Sequence, residues 1–212
     1  SDERCYSCGR INPGMFGFAP LLRQFGNDLG LAPFVIAVCS GLFLVTALLT
    51  LRNGGLPQQL LWGVSGKVLD DLGATGTLQV FYQGSWWTLL SASWLHGGLI
   101  HLVMNMMAVR NLAPVTADII GPSRTVIVYV VAGVFGFLLS TYMGVGITIG
   151  ASASICGLIG ALIHYGRRSG SRLIYNQALQ WAISTRLLGF IVPVINNWAH
   201  LGGFIGGYLV SM

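Results

Sequence analysis

Two polar residues at the starts of apolar segments are the candidates for chemistry in this sequence. Ser152 follows Gly150 and Ala151, and His200 follows Asn197-Trp198-Ala199. Polar side chains are costly inside a lipid bilayer, and those found there usually have a function. A histidine within hydrogen-bond reach can take the serine proton during attack and return it to a leaving amine. The sequence therefore predicts nucleophilic catalysis by Ser152 and His200, provided that the fold brings them together.

The composition indicates an integral membrane protein. The chain has 212 residues, of which 54% are hydrophobic and 8% are charged, whereas soluble domains carry about 25% charged residues. The net charge of +5 does not indicate nucleic-acid binding, because the arginines lie at the ends of apolar segments, where membrane topology favours them. We therefore expect a lipid bilayer around the protein and no nucleic-acid partner.

Six apolar segments are predicted to cross the bilayer, which takes about 20 residues each. We expect residues 1–33 to be a cytoplasmic N-terminal segment and residues 34–212 to be the membrane core. The connection from Arg52 to Trp86 is too polar to span, and its aromatic residues favour a structured loop at the interface. The predicted fold class is an all-α polytopic membrane protein, a bundle of six transmembrane helices with a long first loop. The predicted spans are 33–51, 89–112, 125–145, 152–165, 174–195 and 198–212.

Basic residues predict the orientation of these spans. Arg110 and Arg124 flank the connection between the second and third spans, and Arg167, Arg168 and Arg172 lie between the fourth and fifth. Because short cytoplasmic loops carry an excess of Lys and Arg, both connections and both termini are predicted to be cytoplasmic. Arg186, in the middle of the fifth segment, fits this pattern less well.

In this topology the second, fourth and sixth spans all run inward from the outer side. His101, Asn105, Ser152 and His200 are then predicted at a similar depth, a turn or two below the outer surface. The start of a helix has free backbone N–H groups near Ser152, and His101 and Asn105 share one helix face. These groups are candidate donors to an oxyanion, the negatively charged oxygen of a tetrahedral intermediate.

Small residues predict that the fourth and sixth spans pack closely. Their spacing is small-x-x-x-small, which lets helix backbones approach. The residues are Ala153, Gly157 and Ala161 in the fourth span, and Gly202, Gly203, Gly206 and Gly207 in the sixth. Close packing of these two faces would bring Ser152 and His200 together at the helix starts.

Taken in order, three motifs resemble the rhomboid family of intramembrane serine proteases. They are His96-(x4)-His101-(x3)-Asn105, Gly150-Ala151-Ser152 and Asn197-Trp198-Ala199-His200-Leu201-Gly202-Gly203, and the similarity runs from about Gly84 to Met212. The resemblance implies a catalytic dyad of Ser152 and His200. It also implies an oxyanion hole formed by His101, Asn105 and the Ser152 backbone N–H, and no cofactor. The implied substrates are single-span transmembrane proteins, cleaved near the outer membrane face, with the fifth span and the first loop as their route.

Three residues depart from the family pattern. Ala153 replaces the usual glycine after the nucleophile, Thr88 replaces the arginine of a Trp-Arg pair, and Ala117 stands where a glutamate is usual. These departures motivate a second hypothesis, a non-catalytic rhomboid-like protein that binds transmembrane clients. A small transporter is a third, although it predicts internal repeats and none is evident.

Other chemistry-bearing residues support weaker hypotheses. Ser154 is an alternative nucleophile, and His96 with His101 is an incomplete metal pair, because no acidic or cysteine ligand is expected at that depth. Cys5 and Cys8 form a single C-x-x-C, whereas a structural zinc site normally needs four ligands. We therefore predict no metal site.

Overall fold

The computed structural model describes residues 21, 24, 26–192 and 195–212. Cys5, Cys8 and most of the predicted N-terminal segment lie outside the described residues. Within them the predicted all-helical fold is confirmed, with six helices of 14 residues or more. These are α1 (Leu31–Arg52), α2 (Leu99–Ile120), α3 (Pro122–Tyr142), α4 (Ser152–Ser169), α5 (Arg172–Ile191) and α6 (Asn197–Val210).

Two of these helices, α1 and α3, are long and apolar enough by themselves to cross a membrane. The others are shorter or carry more polar residues; α4 has 18 residues and α6 has 14, below the length of about 20 that a full crossing takes. The six helices match the six predicted spans in order, and the number of bilayer crossings stays a prediction.

The second span begins later than predicted. Residues 88–94 form a short α-helix, Thr88–Ser91, and a 3₁₀ turn, Ala92–Trp94, rather than the start of α2. Gly98 has an extended backbone (φ −174°) and precedes the first residue of α2. A Cβ at Gly98 would lie 2.8 Å from the Trp62 carbonyl carbon. The first loop therefore packs against this break, and His96 lies before the helix rather than on it.

Glycine faces hold α3, α4 and α6 together, as predicted for α4 and α6. A Cβ on Gly203 would contact the carbonyl oxygen of Ala153, and one on Gly207 would contact that of Gly157. The other small face of α6 meets α3, where a Cβ on Gly202 would lie 2.9 Å from the Gly136 Cα. Because none of these glycines carries a side chain, the three backbones approach within van der Waals contact.

The connection from α1 to α2 is a structured loop, as predicted. It contains a 3₁₀ helix, Pro57–Leu61, a short α-helix, Gly66–Asp71, and a π-helical turn, Leu78–Tyr82. Backbone hydrogen bonds in both directions join Thr75 and Thr148 (3.2 and 2.6 Å) and tie the loop to the segment before α4. Five of its aromatic side chains are exposed, as expected at a membrane interface: Trp62, Phe81, Tyr82, Trp86 and Trp87.

We expect Gly207→Ala to destabilise the protein, because its Cβ has no room against the Gly157 backbone. Overpacking typically costs about 1–3 kcal/mol, which would lower the midpoint of thermal unfolding in detergent. Gly41→Ala is the matched control, since a Cβ at this α1 position meets nothing within 4 Å. Alanine is the better helix former there. Equal midpoints for the two variants would contradict the close approach of α4 and α6.

Candidate active site

Ser152 is the first residue of α4 and is half-buried. The turn before it depends on Gly150, whose φ of +112° is a left-handed conformation that side chains disfavour. The Gly150 N–H donates to the Ala92 carbonyl (2.9 Å), which fixes the turn to the end of the first loop. No side chain caps α4. The backbone N–H groups at its start, which form the positive end of the helix dipole, are therefore free to donate near Ser152.

His101 lies beside this turn. A Cβ on Gly150 would be 2.8 Å from both Cε1 and Nε2 of His101 and 3.9 Å from the Ser152 hydroxyl oxygen. His101 Nδ1 accepts a hydrogen bond from the Gly97 N–H (3.4 Å). In a neutral imidazole this acceptor role assigns the proton to Nε2. The ring therefore presents an N–H donor towards the space between Gly150 and Ser152.

Asn105 lies one turn further along α2 and is buried. Its side-chain Nδ2 donates to the His101 backbone carbonyl (2.9 Å), which uses one of the two amide hydrogens. The predicted common face of His101 and Asn105 is thus present, and one amide hydrogen is left to donate. His101 and Ser152 both lie within 4 Å of the position that a Gly150 Cβ would occupy, and Asn105 is not among the nearest neighbours of that position.

His200 lies in the first turn of α6 and is half-buried. Its Nδ1 is buried without a hydrogen-bond partner among the residues that the structure describes. The described hydrogen bonds include none between Ser152 and His200. The two residues lie at the starts of neighbouring helices without a direct hydrogen bond in this state.

Gly136 of α3 is the point around which the two helix starts meet. A Cβ on Gly136 would lie 2.5 Å from the Ala199 carbonyl oxygen, 2.7 Å from the Ala153 Cβ and 3.1 Å from the Gly203 nitrogen. Ala153 follows Ser152 and Ala199 precedes His200. The residues adjacent to the predicted dyad are therefore packed against the same glycine.

The same contact explains how alanine is accommodated after Ser152. Ala153 is fully buried, and its methyl group points at a position of α3 that has no side chain. The methyl group of Ala153 thus lies beside the space that a side chain at residue 136 would fill. The two other departures lie elsewhere, since Thr88 donates to the Ser85 carbonyl (2.7 Å) and Ala117 lies near the far end of α2.

His96 is buried beside His101, with ring centroids 5.1 Å apart. Neither of its ring nitrogens has a partner among the described residues. No group of three or more histidine, cysteine or acidic residues that could hold a metal ion occurs in the described part of the chain. His96 therefore contacts His101 by ring packing rather than by a hydrogen bond.

Asn196 joins the parts of this site, a role that was not predicted from the sequence. Its Oδ1 accepts hydrogen bonds from the backbone N–H groups of Trp198 (3.0 Å) and Ala199 (3.2 Å), which caps α6. Its Nδ2 donates to the hydroxyl oxygens of Ser140 (2.5 Å) and Thr148 (2.8 Å). One side chain therefore links the end of α3, the segment leading to Ser152, and the turn carrying His200. An asparagine before an apolar helix is a recognisable cap signal, but its two hydroxyl partners are distant in sequence.

We expect Asn196→Ala to lower the free energy of unfolding by about 1–2 kcal/mol, because it removes the cap and both hydroxyl contacts. Asn196→Ser keeps a short acceptor for the cap but cannot reach Ser140 and Thr148, so its loss should be intermediate. Asn111→Ala, at an exposed position of α2, is the control. Chemical or thermal unfolding in detergent gives the order; a serine variant no better than alanine would argue against a separate capping role.

Comparisons with known proteins agree with the motifs. The family model described as Rhomboid domain matches residues 83–212, which include all four predicted site residues. RHOMBOID-like protein 1 of Arabidopsis thaliana is 31% identical over 165 residues, covering 74% of this chain and 41% of the relative. Rhomboid protease GluP of Bacillus subtilis (strain 168) is 33% identical over 132 residues, covering 61% of this chain and 26% of the relative.

The relatives differ in activity. Inactive RHOMBOID-like protein 8 of Arabidopsis thaliana is 29% identical over 158 residues, covering 71% of this chain and 44% of the relative. The chain spans about half or less of the length of these relatives. The chain is thus similar both to a protease and to an inactive protein.

Proposed function

Since this chain belongs to the rhomboid family, we propose that it is a serine endopeptidase that cleaves transmembrane protein substrates within the membrane. In this proposal Ser152 is the nucleophile and His200 is its general base. His101, Asn105 and the Ser152 backbone N–H bind the oxyanion. No metal or cofactor takes part in the reaction as proposed.

One observation supports the proposal: the starts of α4 and α6 meet at Gly136, while His101 and Ser152 both lie near the position that a Gly150 Cβ would occupy. This arrangement would let the proposed nucleophile, base and oxyanion donor, which come from three different helices, act together. The missing Ser152–His200 hydrogen bond is compatible with this role, since catalytic hydrogen bonds are often long without substrate and tighten in the reacting complex.

The proposed reaction has two stages, the formation of an ester between Ser152 and the substrate and the hydrolysis of that ester. The Ser152 hydroxyl oxygen attacks the scissile carbonyl carbon while His200 takes the hydroxyl proton, and the oxyanion accepts hydrogen bonds from the donors. The C–N bond then breaks, and His200 gives its proton to the leaving amine. A water molecule attacks the resulting ester with His200 again as base, which releases the new carboxylate and restores the serine. Each oxyanion donor of this kind is typically worth about 3–4 kcal/mol.

The fifth helix is the proposed entry side for substrates. Only Ala178 and Gly189 of α5 are buried, so this helix is loosely held by the rest of the described bundle. Its outer end is joined to α6 by the Asn197 side chain, which donates to the Gly189 carbonyl (2.7 Å). Arg186 is exposed on α5, with its guanidinium 4.6 Å from the Phe190 ring centroid. A substrate helix must also unwind locally to expose its scissile carbonyl, because a regular helix occupies every backbone group.

The proposed topology has six spans, a cytoplasmic N-terminus and the site facing the outer side. Arg167 and Arg168 lie in the last turn of α4 and support a cytoplasmic connection to α5. We expect a membrane-impermeant maleimide to label Gln83→Cys in sealed, right-side-out membranes and to spare Ser169→Cys until the membranes are permeabilised. The two exposed positions are tested with Cys5 and Cys8 replaced by serine. The reverse pattern would invert the topology.

A non-catalytic client-binding protein is the second candidate. The inactive relative and the lack of a Ser152–His200 hydrogen bond favour it. Binding without hydrolysis needs the bundle and the loosely packed α5 but makes no use of an activated serine. The two functions are therefore separated by the reactivity of Ser152.

We expect a fluorophosphonate probe to label the detergent-solubilised protein, because His200 would activate the Ser152 hydroxyl for attack on phosphorus. Labelling should fall to background in Ser152→Ala and in His200→Ala. Ser154→Ala is the matched control, two residues away on the same helix, and should keep its label.

The outcomes are distinct. Loss of the label in both dyad variants, with a labelled Ser154 control, supports the protease. A folded parent protein that takes no label would contradict the proposed reaction and favour client binding. Labelling that disappears only in Ser154→Ala would move the nucleophile to Ser154.

A further inference from the structure

A small cavity lies behind the first turn of α4, on the side where α3 and the end of the first loop meet. Its volume is about 20 Å³. It is lined by Leu90, Ser93, Trp94, Tyr129, Val130 and Ser154. Three of these side chains carry hydroxyl or phenol oxygens, and each comes from a different element: the 3₁₀ turn, α3 and α4. The proposed dyad does not use any of them.

Two of these oxygens are buried without partners. Tyr129 and Ser154 are each 1% exposed, and neither hydroxyl has a hydrogen-bond partner among the residues that the structure describes. Burying an unpaired hydroxyl costs free energy, more so beside lipid where bulk water is absent. Two orphaned hydroxyls at one cavity therefore point to a polar occupant.

Gly133 of α3 leaves room beside two of these hydroxyl groups. A Cβ at this position would contact the Ser154 hydroxyl oxygen and lie 3.1 Å from that of Ser93. The absence of a side chain therefore lets both serine oxygens face the same point. A cavity holds one water molecule when it offers about 10–15 Å³ and two to four polar partners. This cavity meets both conditions.

We propose that this cavity is a binding site for one structural water molecule, which bridges the Ser154 hydroxyl, the Tyr129 phenol and the Ser93 hydroxyl. The water forms one hydrogen bond with each of the three oxygens, as donor or acceptor, so that the Ser154 and Tyr129 hydroxyls both gain a partner. It joins α4, at a point two residues after Ser152, to α3 and to the end of the first loop. Ser154, two residues after the proposed nucleophile, thus has a structural role. The site does not depend on the proposed proteolysis.

The test is the sign of the stability change when each hydroxyl is removed. If the water is bound, Ser154→Ala and Tyr129→Phe each break its bridge and should lower the midpoint of thermal unfolding by about 2–4 °C. The double variant should lose less than both single losses together, because the two residues share one water. Tyr142→Phe is the control for the same chemical change at a side chain that is 78% exposed, and its midpoint should not move.

An empty cavity predicts the opposite sign. Removing an orphaned buried hydroxyl would then leave the midpoint unchanged or raise it, and that result would overturn the proposal. A crystal structure of the parent protein at about 2 Å supplies the direct readout. A density peak within hydrogen-bond distance of Ser154 and Tyr129 supports the water site, whereas a direct bond between the two side chains overturns it.

Discussion

The close approach of α3, α4 and α6 is the interaction on which the rest of the structure depends. Lipid chains are as apolar as leucine side chains, so helices in a bilayer gain little from hydrophobic burial against one another. They associate through backbone contact and dispersion, which require small residues at the interface. Gly203 and Gly207 supply this on one face of α6 and Gly202 on the other. The positions of Ser152 and His200 are consequences of that packing, because both residues lie at the ends of the packed faces.

The second constraint is the need to satisfy polar groups at the end of the bundle that carries Ser152 and His200. Three connections meet there, and each is held by hydrogen bonds to another. Thr75 pairs with Thr148, Gly150 donates to Ala92, and Asn196 reaches Ser140 and Thr148. These bonds fix the turn before Ser152 and the cap before His200 in one network. The hydrogen bonds that hold these turns in place therefore also satisfy polar groups that would otherwise be unpaired near lipid.

Much of this arrangement could be predicted from the sequence because it depends on local patterns. Hydropathy indicated the six long helices, and small-residue spacing indicated the α4–α6 contact at Ala153 and Gly157. The start of α2 could not be predicted in the same way. No proline, glycine or charged residue interrupts the stretch 88–94, and the break at Gly98 lies where the first loop packs against the chain. The hydrogen-bond partners of Asn196 could not be predicted either. Ser140 and Thr148 belong to no recognisable motif, and they come close to Asn196 only when the helices have packed.

The departure at Ala153 shows why a motif has to be interpreted with its packing partner. Taken alone, an extra methyl group beside the nucleophile is a reason to doubt the site, because interiors are packed closely enough for one methyl to matter. In the structure the methyl group meets a glycine of α3, and the carbonyl of Ala199 meets the same glycine. Room for the methyl group of Ala153 therefore depends on glycine at residue 136, where a Cβ would also meet the Ala199 carbonyl oxygen. Loss of activity therefore does not follow from Ala153, and the competence of the site depends on whether His200 can reach Ser152.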